Sequence, residues 1–166
     1  MRIGIVSDTH DNVDVVERAV EHFEREDVDA VVHCGDFVAP FSATPFEREA
    51  WEFHAVRGNN DGEWNLQAAV EAFGTYHGEM AELTLDGTDF AVYHGTSMPI
   101  VRALVERGEY DYVLHGHTHQ CAHEEGGTVR INPGGISIPP APEPLHAAVL
   151  DTDAGEVAFE RIEDKD

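Results

Sequence analysis

Five apolar segments of this chain each end in residues that can bind a metal ion. The first covers residues 3–6 and runs into Asp8 and His10, a carboxylate and an imidazole two residues apart. One such ending carries little information, because polar residues follow many strands without a chemical role. The other four segments end in these stretches: Gly35-Asp36, Gly58-Asn59-Asn60-Asp61, His94-Gly95 and Gly116-His117-Thr118-His119. The repetition predicts that five strand ends supply one site.

The order of the predicted elements favours two packed β-sheets with helices on the outside. Strands and helices alternate in the first half, where Asp11 or Asn12 can cap a helix with one apolar stripe. In the second half, Asp86-Gly87 joins two alternating apolar segments, which is a strong hairpin signal. Two further strands are expected over residues 145–151 and 156–162. This combination predicts an α+β fold of two layered sheets.

Two further helices and one loop are predicted from turn and cap residues. Residues 63–73 show a short helical pattern that Gly74 would end. Ser97 can cap a helix that Gly108 closes. The side chains of that helix that we expect to face inward are Ile100, Val101, Leu104 and Val105. The proline-rich residues 139–144 cannot join a sheet, and we expect them to form an extended surface loop.

The predicted sheets would gather the metal-binding residues into one crevice, because loops at the carboxyl ends of parallel strands converge there. The candidate ligands are Asp8, His10, Asp36, Asn59, His94, His117 and His119. They are too many for a single divalent ion and suit two ions that share a carboxylate. Asp36 is the natural bridge, because Gly35 allows its backbone a close approach. Mixed oxygen and nitrogen donors favour Mn²⁺, Fe²⁺, Co²⁺, Ni²⁺ or Zn²⁺ over Ca²⁺ or Mg²⁺.

The charge balance restricts the source and the partners of the protein. The chain has 33 acidic and 10 basic residues, a net charge of −23, and the acidic residues are spread along its length. Such a surface predicts a halophilic protein kept soluble in a salt-rich cytoplasm. It also argues against duplex nucleic acid as a partner, since no basic stripe is available for phosphates. No apolar segment is long enough to cross a bilayer, so we expect one cytoplasmic domain over residues 1–166.

The motifs, taken in order, resemble those of the calcineurin-like metallophosphoesterases. The matching motifs are Asp8-x-His10, Gly35-Asp36, Gly58-Asn59-x-Asp61, His94-Gly95 and Gly116-His117-x-His119. Within that superfamily the chain is similar to the small single-domain phosphodiesterases of bacteria and archaea. The resemblance implies an αββα sandwich of two mixed β-sheets. It also implies a phosphodiesterase in which a metal-bridging hydroxide attacks phosphorus in line.

The resemblance further implies which residues hold each ion. One metal would be bound by Asp8, His10, Asp36 and His119. The other would be bound by Asp36, Asn59, His94 and His117. Mn²⁺ is the expected metal, with Ni²⁺, Fe²⁺, Co²⁺ and Zn²⁺ as alternatives. The expected substrate is a small phosphodiester or nucleotide-like molecule, and relatives often form homo-oligomers.

The chain departs from the family pattern at Asn60, where many relatives have a histidine near the leaving group. Asparagine is not a general acid at neutral pH, although its amide can donate a hydrogen bond to a phosphate oxygen. We therefore predict slow turnover and a preference for good leaving groups, with Asn60 and Asp61 on the leaving-group side. Asp61 can instead orient the loop or a neighbouring imidazole. Arg57 can meet a substrate phosphate or pair with a nearby acid, and the sequence leaves both open.

Other aromatic and histidine residues are assigned ordinary roles. His22 and His123 are expected to be exposed. His33 and His115 are expected to pack in the core rather than to support the metal ligands. Three phenylalanines are expected to cover the core, with an exposed patch for a base or a partner as the alternative: Phe37, Phe41 and Phe46.

A function of another class is also open. The retromer subunit that resembles this fold is a scaffold that has lost part of its metal chemistry, so the chain can be a metal-binding or metal-free interaction module. Proteins of that kind typically lack some ligand histidines, and this chain keeps all of them. Asn60 is the feature that favours the scaffold.

Overall fold

The computed structural model describes residues 1–135 and 145–162. The proline-rich segment predicted to be an extended loop, residues 139–144, lies outside the described residues. The helices are α1 (Val13–Arg25), α2 (Leu66–Glu71) and α3 (Met98–Arg107), and two 3₁₀ turns cover Pro40–Ser42 and Thr44–Phe46. The strands are β1 (Arg2–Val6), β2 (Ala30–His33), β3 (Glu52–Ala55), β4 (Thr75–Tyr76), β5 (Met80–Leu85), β6 (Thr88–Tyr93), β7 (Tyr112–Leu114), β8 (Ala122–Glu124), β9 (Val129–Asn132), β10 (Leu145–Asp151) and β11 (Glu156–Ile162).

The strands form two mixed sheets. The first sheet has the order β11-β10-β1-β2-β3-β4, in which β1 to β4 are parallel and β10 and β11 are antiparallel. The second sheet has the order β5-β6-β7-β9-β8, with a parallel centre and antiparallel edges. Parallel strands therefore occupy the middle of both sheets. Their carboxyl ends can place several loops at one edge.

Three apolar clusters define four layers. The first cluster joins α1 and α2 to one face of the first sheet. The second lies between the two sheets, where Ile3, Ile5 and Val32 meet Phe90 and Leu114. The third joins α3 to the outer face of the second sheet. The predicted αββα sandwich of two mixed sheets is confirmed.

Local sequence explains how α1 is placed on the first sheet. The Asn12 side chain accepts a hydrogen bond of 3.3 Å from the backbone N–H of Val15, which satisfies one of the free donors at the helix start. The apolar stripe of the helix is buried and ends in Phe23. Phe23 covers Gly4 of β1 so closely that a Cβ atom there would lie 2.8 Å from its ring. The central strand therefore needs glycine at this position.

Two burial predictions are wrong. Ile100 is 46% exposed, whereas Val101 is fully buried and Leu104 and Val105 lie against the second sheet. The contact stripe of α3 is narrower than predicted, and Ile100 lies at its edge in the first turn. His22 is buried instead of exposed, and it lies on a helix that packs against β10 and β11, which are far away in sequence. His123 is exposed, as predicted.

The predicted helix over residues 63–73 is shorter in the structure and covers only Leu66–Glu71. Gly74 still marks its end, because its N–H donates to the carbonyl of Val70. The hairpin around Asp86-Gly87 has the predicted strands, and Gly108 closes α3 with a φ of 68°. Among the described helices, none combines the length and the apolar character that a membrane span requires.

Candidate metal centre

The seven predicted ligands lie on five loops at the carboxyl edge of the two sheets. Asp8 and His10 follow β1, Asp36 follows β2, and the remaining ligands follow β3, β6 and β7. Backbone hydrogen bonds join neighbouring loops: the N–H of Asp8 donates to the carbonyl of Gly35 at 2.9 Å, and that of His10 donates to the carbonyl of Asp36 at 3.1 Å. The N–H of Gly116 donates to the carbonyl of His94 at 2.8 Å. The site is therefore assembled by main-chain contacts as well as by side chains.

Most of these loops turn at the ligand residue itself. Five of the seven ligands have a left-handed backbone, namely Asp8 (φ 54°), His10 (φ 43°), Asp36 (φ 63°), His117 (φ 68°) and His119 (φ 59°). Few residues other than glycine tolerate this conformation, and Asn, Asp and His are the ones enriched in it. The sharp turn directs side chains at the end of a strand back toward a common centre.

Glycines leave the room that the two carboxylates occupy. A Cβ atom on Gly58 would lie 2.1 Å from Asp36 Oδ1. A Cβ atom on Gly116 would lie 2.4 Å from Asp8 Oδ2. Cβ atoms essentially never come within 3.0 Å of a heavy atom outside their own and the adjacent residues, so a side chain at either glycine would displace a carboxylate. The glycines in the Gly-Asn and Gly-His motifs are thus explained by close approach.

Asp8 is buried, and one of its two oxygens lacks a partner. Oδ2 accepts hydrogen bonds from the Ser7 hydroxyl at 2.6 Å and from the N–H of His117 at 2.9 Å. Oδ1 has no hydrogen-bond partner, although His119 Nε2 lies 3.3 Å away. A buried carboxylate oxygen without a donor is costly, and a bound cation removes that cost. Asp8 therefore fits a metal ligand.

Both ring nitrogens of His94 lie close to oxygen atoms that can accept a hydrogen bond. Its Nδ1 lies 2.8 Å from the carbonyl oxygen of Cys34, so the ring donates there. Its Nε2 lies 3.0 Å from Asn59 Oδ1 and 3.4 Å from Asp36 Oδ2. Burial lowers the pKa of His94, but the carboxylates of Asp36 and Asp8 outweigh burial and raise it. A proton on Nε2, or a metal ion between Nε2 and the oxygens of Asn59 and Asp36, gives each of these atoms a favourable partner.

His10 completes the buried part of the site with an unpartnered nitrogen. Its Nε2 is buried without a hydrogen bond, 3.7 Å from Asp36 Oδ2 and 3.9 Å from Asp8 Oδ1. Burial lowers the pKa of His10 despite these carboxylates, which favours the neutral imidazole with a free lone pair. The neutral form is the one that binds a metal ion.

The donors form two groups compact enough for an ion each. In the described part of the chain, ligand atoms within 4.8 Å of one another are contributed by Asp8, His10 and His119, and by Asp8, Asp36 and His94. The groups share Asp8, whereas the resemblance makes Asp36 the bridge. The ring of His117 lies 5.2 Å from that of His94 at the rim of the second group. The orphaned atoms and the donor chemistry both fit divalent metal.

Asn60 and Asp61 differ in what they contact. The backbone N–H of Asn60 donates to Asp36 Oδ1 at 2.8 Å and its side-chain amide donates to Oδ2 at 2.7 Å. Asp61 is buried and accepts from the backbone N–H groups of Asp36, Val38 and Gly58 at 3.0, 2.8 and 2.7 Å. Burial raises the pKa of Asp61 despite these three hydrogen bonds. Of the roles left open for Asp61, orienting the loop accounts for its contacts.

Arg57 lies at the surface beside this loop. Its guanidinium reaches Glu79 Oε1 at 3.1 Å and donates to the carbonyl of Asp61 at 3.3 Å. Of the two alternatives for Arg57, the contacts seen are those of an arginine paired with an acid.

Several residues that support the site were not predicted to do so. His115 does more than pack: its Nδ1 lies 3.0 Å from the carbonyl oxygen of Gly116, and its Nε2 accepts from Arg130 at 2.7 Å. Burial lowers the pKa of His115 to about 4. Asn132 donates to the same Gly116 carbonyl at 3.0 Å and to the Thr118 hydroxyl at 2.9 Å. His115 is buried as expected, and its hydrogen bonds add a contact with the loop that carries His117.

His33 shows the same double role on the other side of the site. Its ring stacks on Phe37 with centroids 3.4 Å apart, as expected of a packed residue. Its Nδ1 also accepts from the N–H of Gly35, and its Nε2 lies 3.1 Å from the Thr9 hydroxyl. Both partners adjoin metal ligands. The signal available in sequence was its position two residues before a glycine-aspartate pair.

Comparison with known proteins identifies the class that this fold and site define. Residues 1–155 match the family model of the calcineurin-like phosphoesterase superfamily domain, so the chain belongs to that superfamily. The family is metal-dependent, and the prediction of a phosphate-ester hydrolase is confirmed. Phosphodiesterase MJ0936 of Methanocaldococcus jannaschii is 37% identical over 145 residues, which cover 81% of this chain and 83% of that protein. Phosphodiesterase YfcE of Escherichia coli is 26% identical over 170 residues, which cover 92% of this chain and 89% of that protein.

Solved structures agree with the sequence comparison. An archaeal phosphodiesterase superposes with a TM-score of 0.88 at 33% identity and covers 97% of this chain and 99% of its own. Vps29 of Entamoeba histolytica complexed with Zn²⁺ superposes with a TM-score of 0.70 at 18% identity and covers 99% of this chain. At that identity the Vps29 likeness shows a shared fold and does not favour a scaffold function.

Proposed function

We propose that this protein is a phosphodiesterase that works with two divalent metal ions. The observation that carries the proposal is the buried cluster around Asp8, in which Asp8 Oδ1 and His10 Nε2 have no partner. Relatives that are named phosphodiesterases support a diester as the substrate. The reaction proposed is in-line attack of hydroxide on the phosphorus of a small or nucleotide-like phosphodiester, in which one ester P–O bond breaks and the products are a phosphomonoester and an alcohol or phenol.

The ligands proposed for the two ions are those that the motifs suggest. One ion is assigned to Asp8, His10, Asp36 and His119, and the other to Asp36, Asn59, His94 and His117. Bound ions supply positive charge that lowers the pKa of water and neutralises the phosphate. Local positive charge is needed because the protein carries a net charge of −23. Mn²⁺ is the proposed metal, since carboxylate, amide and imidazole donors suit it.

Asn60 is proposed to face the leaving group and to limit the reaction. Its amide donates to Asp36 Oδ2 and offers phosphate a hydrogen bond, but it has no proton to give to a leaving oxygen at neutral pH. Esters with good leaving groups do not need that proton. We therefore expect aryl esters to be cleaved much faster than alkyl esters. Equal rates for the two kinds of ester would contradict this assignment.

The wider setting of the protein is proposed from its composition and its relatives. We propose one domain over residues 1–166, which act together as a cytoplasmic enzyme in a salt-rich cell. The dispersed acidic surface supports this setting and argues against duplex nucleic acid as a substrate. A homo-oligomer is proposed by similarity to the family.

The first experiment compares bis-p-nitrophenyl phosphate with p-nitrophenyl phosphate in molar KCl, with and without Mn²⁺. We expect metal-dependent hydrolysis that is faster for the diester. The His117→Ala variant should lose this activity, because it removes a proposed ligand. His123→Ala is the matched control, since His123 is exposed on β8. A folded, metal-loaded protein that is inactive with every divalent ion would replace the enzyme with an interaction module.

A further inference from the structure

Three exposed apolar side chains in the described part of the chain lie close in sequence to proposed ligands of the metal centre. Among the described residues, the large hydrophobic side chains that are exposed are Phe41 at 56%, Trp64 at 89% and Ile100 at 46%. Each follows, within a few residues, a loop that carries a proposed ligand: Asp36, Asn59 and His94 respectively. Phe41 was expected to cover the core, and that expectation is wrong, whereas Phe37 and Phe46 are buried as predicted.

Hydrogen bonds to Asp61 join the loop that carries Phe41 to the loop that carries Trp64. Asp61 accepts hydrogen bonds from the N–H groups of Asp36 and Val38, and so joins the loop after β3 to the loop after β2. Phe41 lies three residues beyond Val38, and Trp64 lies three residues beyond Asp61. At 3.8 Å per residue, each aromatic Cα is within about 12 Å of this junction. Helix α2, which begins just after Trp64, also packs on the 3₁₀ turn that contains Phe41.

Trp64 contributes little apolar burial to the fold. The second tryptophan of the chain, Trp51, is 7% exposed and donates from its indole nitrogen to the carbonyl of Phe46. Trp64 is 89% exposed, so almost none of its apolar surface is removed from water. An exposed aromatic ring offers a flat apolar face on which a planar ring of a ligand can stack.

The charge of the protein favours an apolar contact with substrate. Apart from the bound metal ions, a protein with a net charge of −23 offers a phosphodiester anion little electrostatic attraction, so contacts with its uncharged groups are a further source of affinity. Salt weakens attraction between exposed charges, whereas salting-out ions strengthen apolar burial. Stacking of a planar ring on an aromatic side chain is therefore suited to a salt-rich solution.

We propose that Trp64 and Phe41 form an aromatic rim that stacks on a planar ring of the substrate, a nucleobase or an aryl group on the non-leaving side of the phosphodiester. This rests on the proposed function and extends it to a substrate class. Trp64 is the main stacking surface because it is the larger and more exposed ring. Phe41 supports the same ring from the neighbouring loop. Small alkyl diesters have no planar ring that could stack on these two side chains.

The test uses two esters with the same leaving group, thymidine 5′-(p-nitrophenyl) phosphate and methyl p-nitrophenyl phosphate. The chemistry of bond cleavage is then equal, and the ratio of their kcat/KM values reports the non-leaving group. We expect the wild type to favour the thymidine ester. Trp64→Ala should reduce the ratio about fivefold or more, the usual contribution of one stacked base, and Trp64→Phe should retain most of it. Ile100→Ala is the matched control, because an exposed aliphatic side chain offers no ring.

A binding measurement decides the proposal independently of catalysis. Adenosine 5′-monophosphate should quench the fluorescence of exposed Trp64 in the metal-loaded protein, and ribose 5-phosphate should not. The Trp64→Phe variant, which keeps only buried Trp51, should show no quenching. Failure of the wild type to cleave either ester would refute the proposed function. The quenching result would still show whether Trp64 stacks on a planar ring. An unchanged ratio in the Phe41→Ala/Trp64→Ala double variant, or no quenching by the nucleotide, would overturn the aromatic rim.

Discussion

Imidazoles meet in two regions of this molecule, and their surroundings differ. In the metal centre, His10 and His94 direct nitrogens toward the buried carboxylates of Asp8 and Asp36. At the β3–β4 edge of the first sheet, His54 Nδ1 and His77 Nε2 lie 3.1 Å apart and form a hydrogen bond with each other. The nearest carboxylate there, Glu52, is exposed and lies 3.7 Å from the other ring nitrogen of His54.

The comparison shows that close histidines do not by themselves make a metal site. Among residues 1–135 and 145–162, the groups with three convergent donors both include Asp8 and lie in the metal centre. In the described part of the chain, His54 and His77 belong to no such group. Burial lowers the pKa of both histidines. The pair is therefore a neutral structural contact, and the metal centre is defined by buried carboxylates.

The largest expected effect comes from neutralising Asp8, the buried carboxylate common to both compact donor groups. Asp8→Asn should lower activity by more than the roughly 100-fold typical of a lost supporting partner, because it removes a proposed ligand. The same change should raise the thermal stability of the metal-free protein, since it removes a buried charge of which one oxygen has no hydrogen-bond partner. Calorimetric titration with Mn²⁺ and melting curves in EDTA measure the two effects. Unchanged Mn²⁺ affinity would contradict the conclusion that buried carboxylates distinguish the metal centre from the His54–His77 pair.

A smaller effect is expected at the junction of the two loops. Asp61→Asn should lower the free energy of unfolding by about 1–3 kcal/mol, because an amide cannot accept from all three backbone N–H groups and leaves one unpaired. It should also weaken Mn²⁺ binding by displacing Asp36. Urea denaturation measures the stability. Asp27→Asn is the matched control, because Asp27 is exposed and asparagine accepts its left-handed backbone. Equal stability of the two variants would contradict the role given to Asp61.

The smallest effect is expected at the structural pair and depends on pH. Both folded-state pKa values lie below the ordinary value of 6.5. As the pH falls below 6.5, the unfolded chain binds protons there before the folded chain does, so the pair reduces stability. The His54→Gln/His77→Gln variant should therefore show a flatter decline of Tm below pH 6.5 than the wild type. Its Mn²⁺ affinity should not change. A steeper decline would show that the pair is charged in the folded protein.

The sequence was most informative where neighbouring residues determine the structure. The hairpin strands around Asp86-Gly87 and the strands over residues 145–151 and 156–162 lie where alternation and turn residues predicted them. The five strand ends also meet at one edge, because parallel strands in the middle of both sheets leave little alternative. These features depend on local pattern and on a general rule of sheet topology.

The sequence was least informative where partners are distant. Strand β4 has two residues and exists only through its pairing with β3. The buried His22 lies on α1, which packs against β11, and the ring of His115 accepts a hydrogen bond from Arg130 on β9. Trp64 was not singled out at all, since its exposure depends on how two loops are joined. Each of these results follows from contacts between segments that no local pattern encodes.

The left-handed backbone at five ligands limits how the site can change in evolution. A replacement at Asp8, Asp36 or His119 must offer a donor atom and also accept a positive φ. Asp, Asn and His meet both demands, while Glu, Cys and the β-branched residues meet one at most. Exchanges among these three side chains are therefore the accessible mutational steps. Such exchanges can change which metal ion is preferred while the backbone of the loops stays the same.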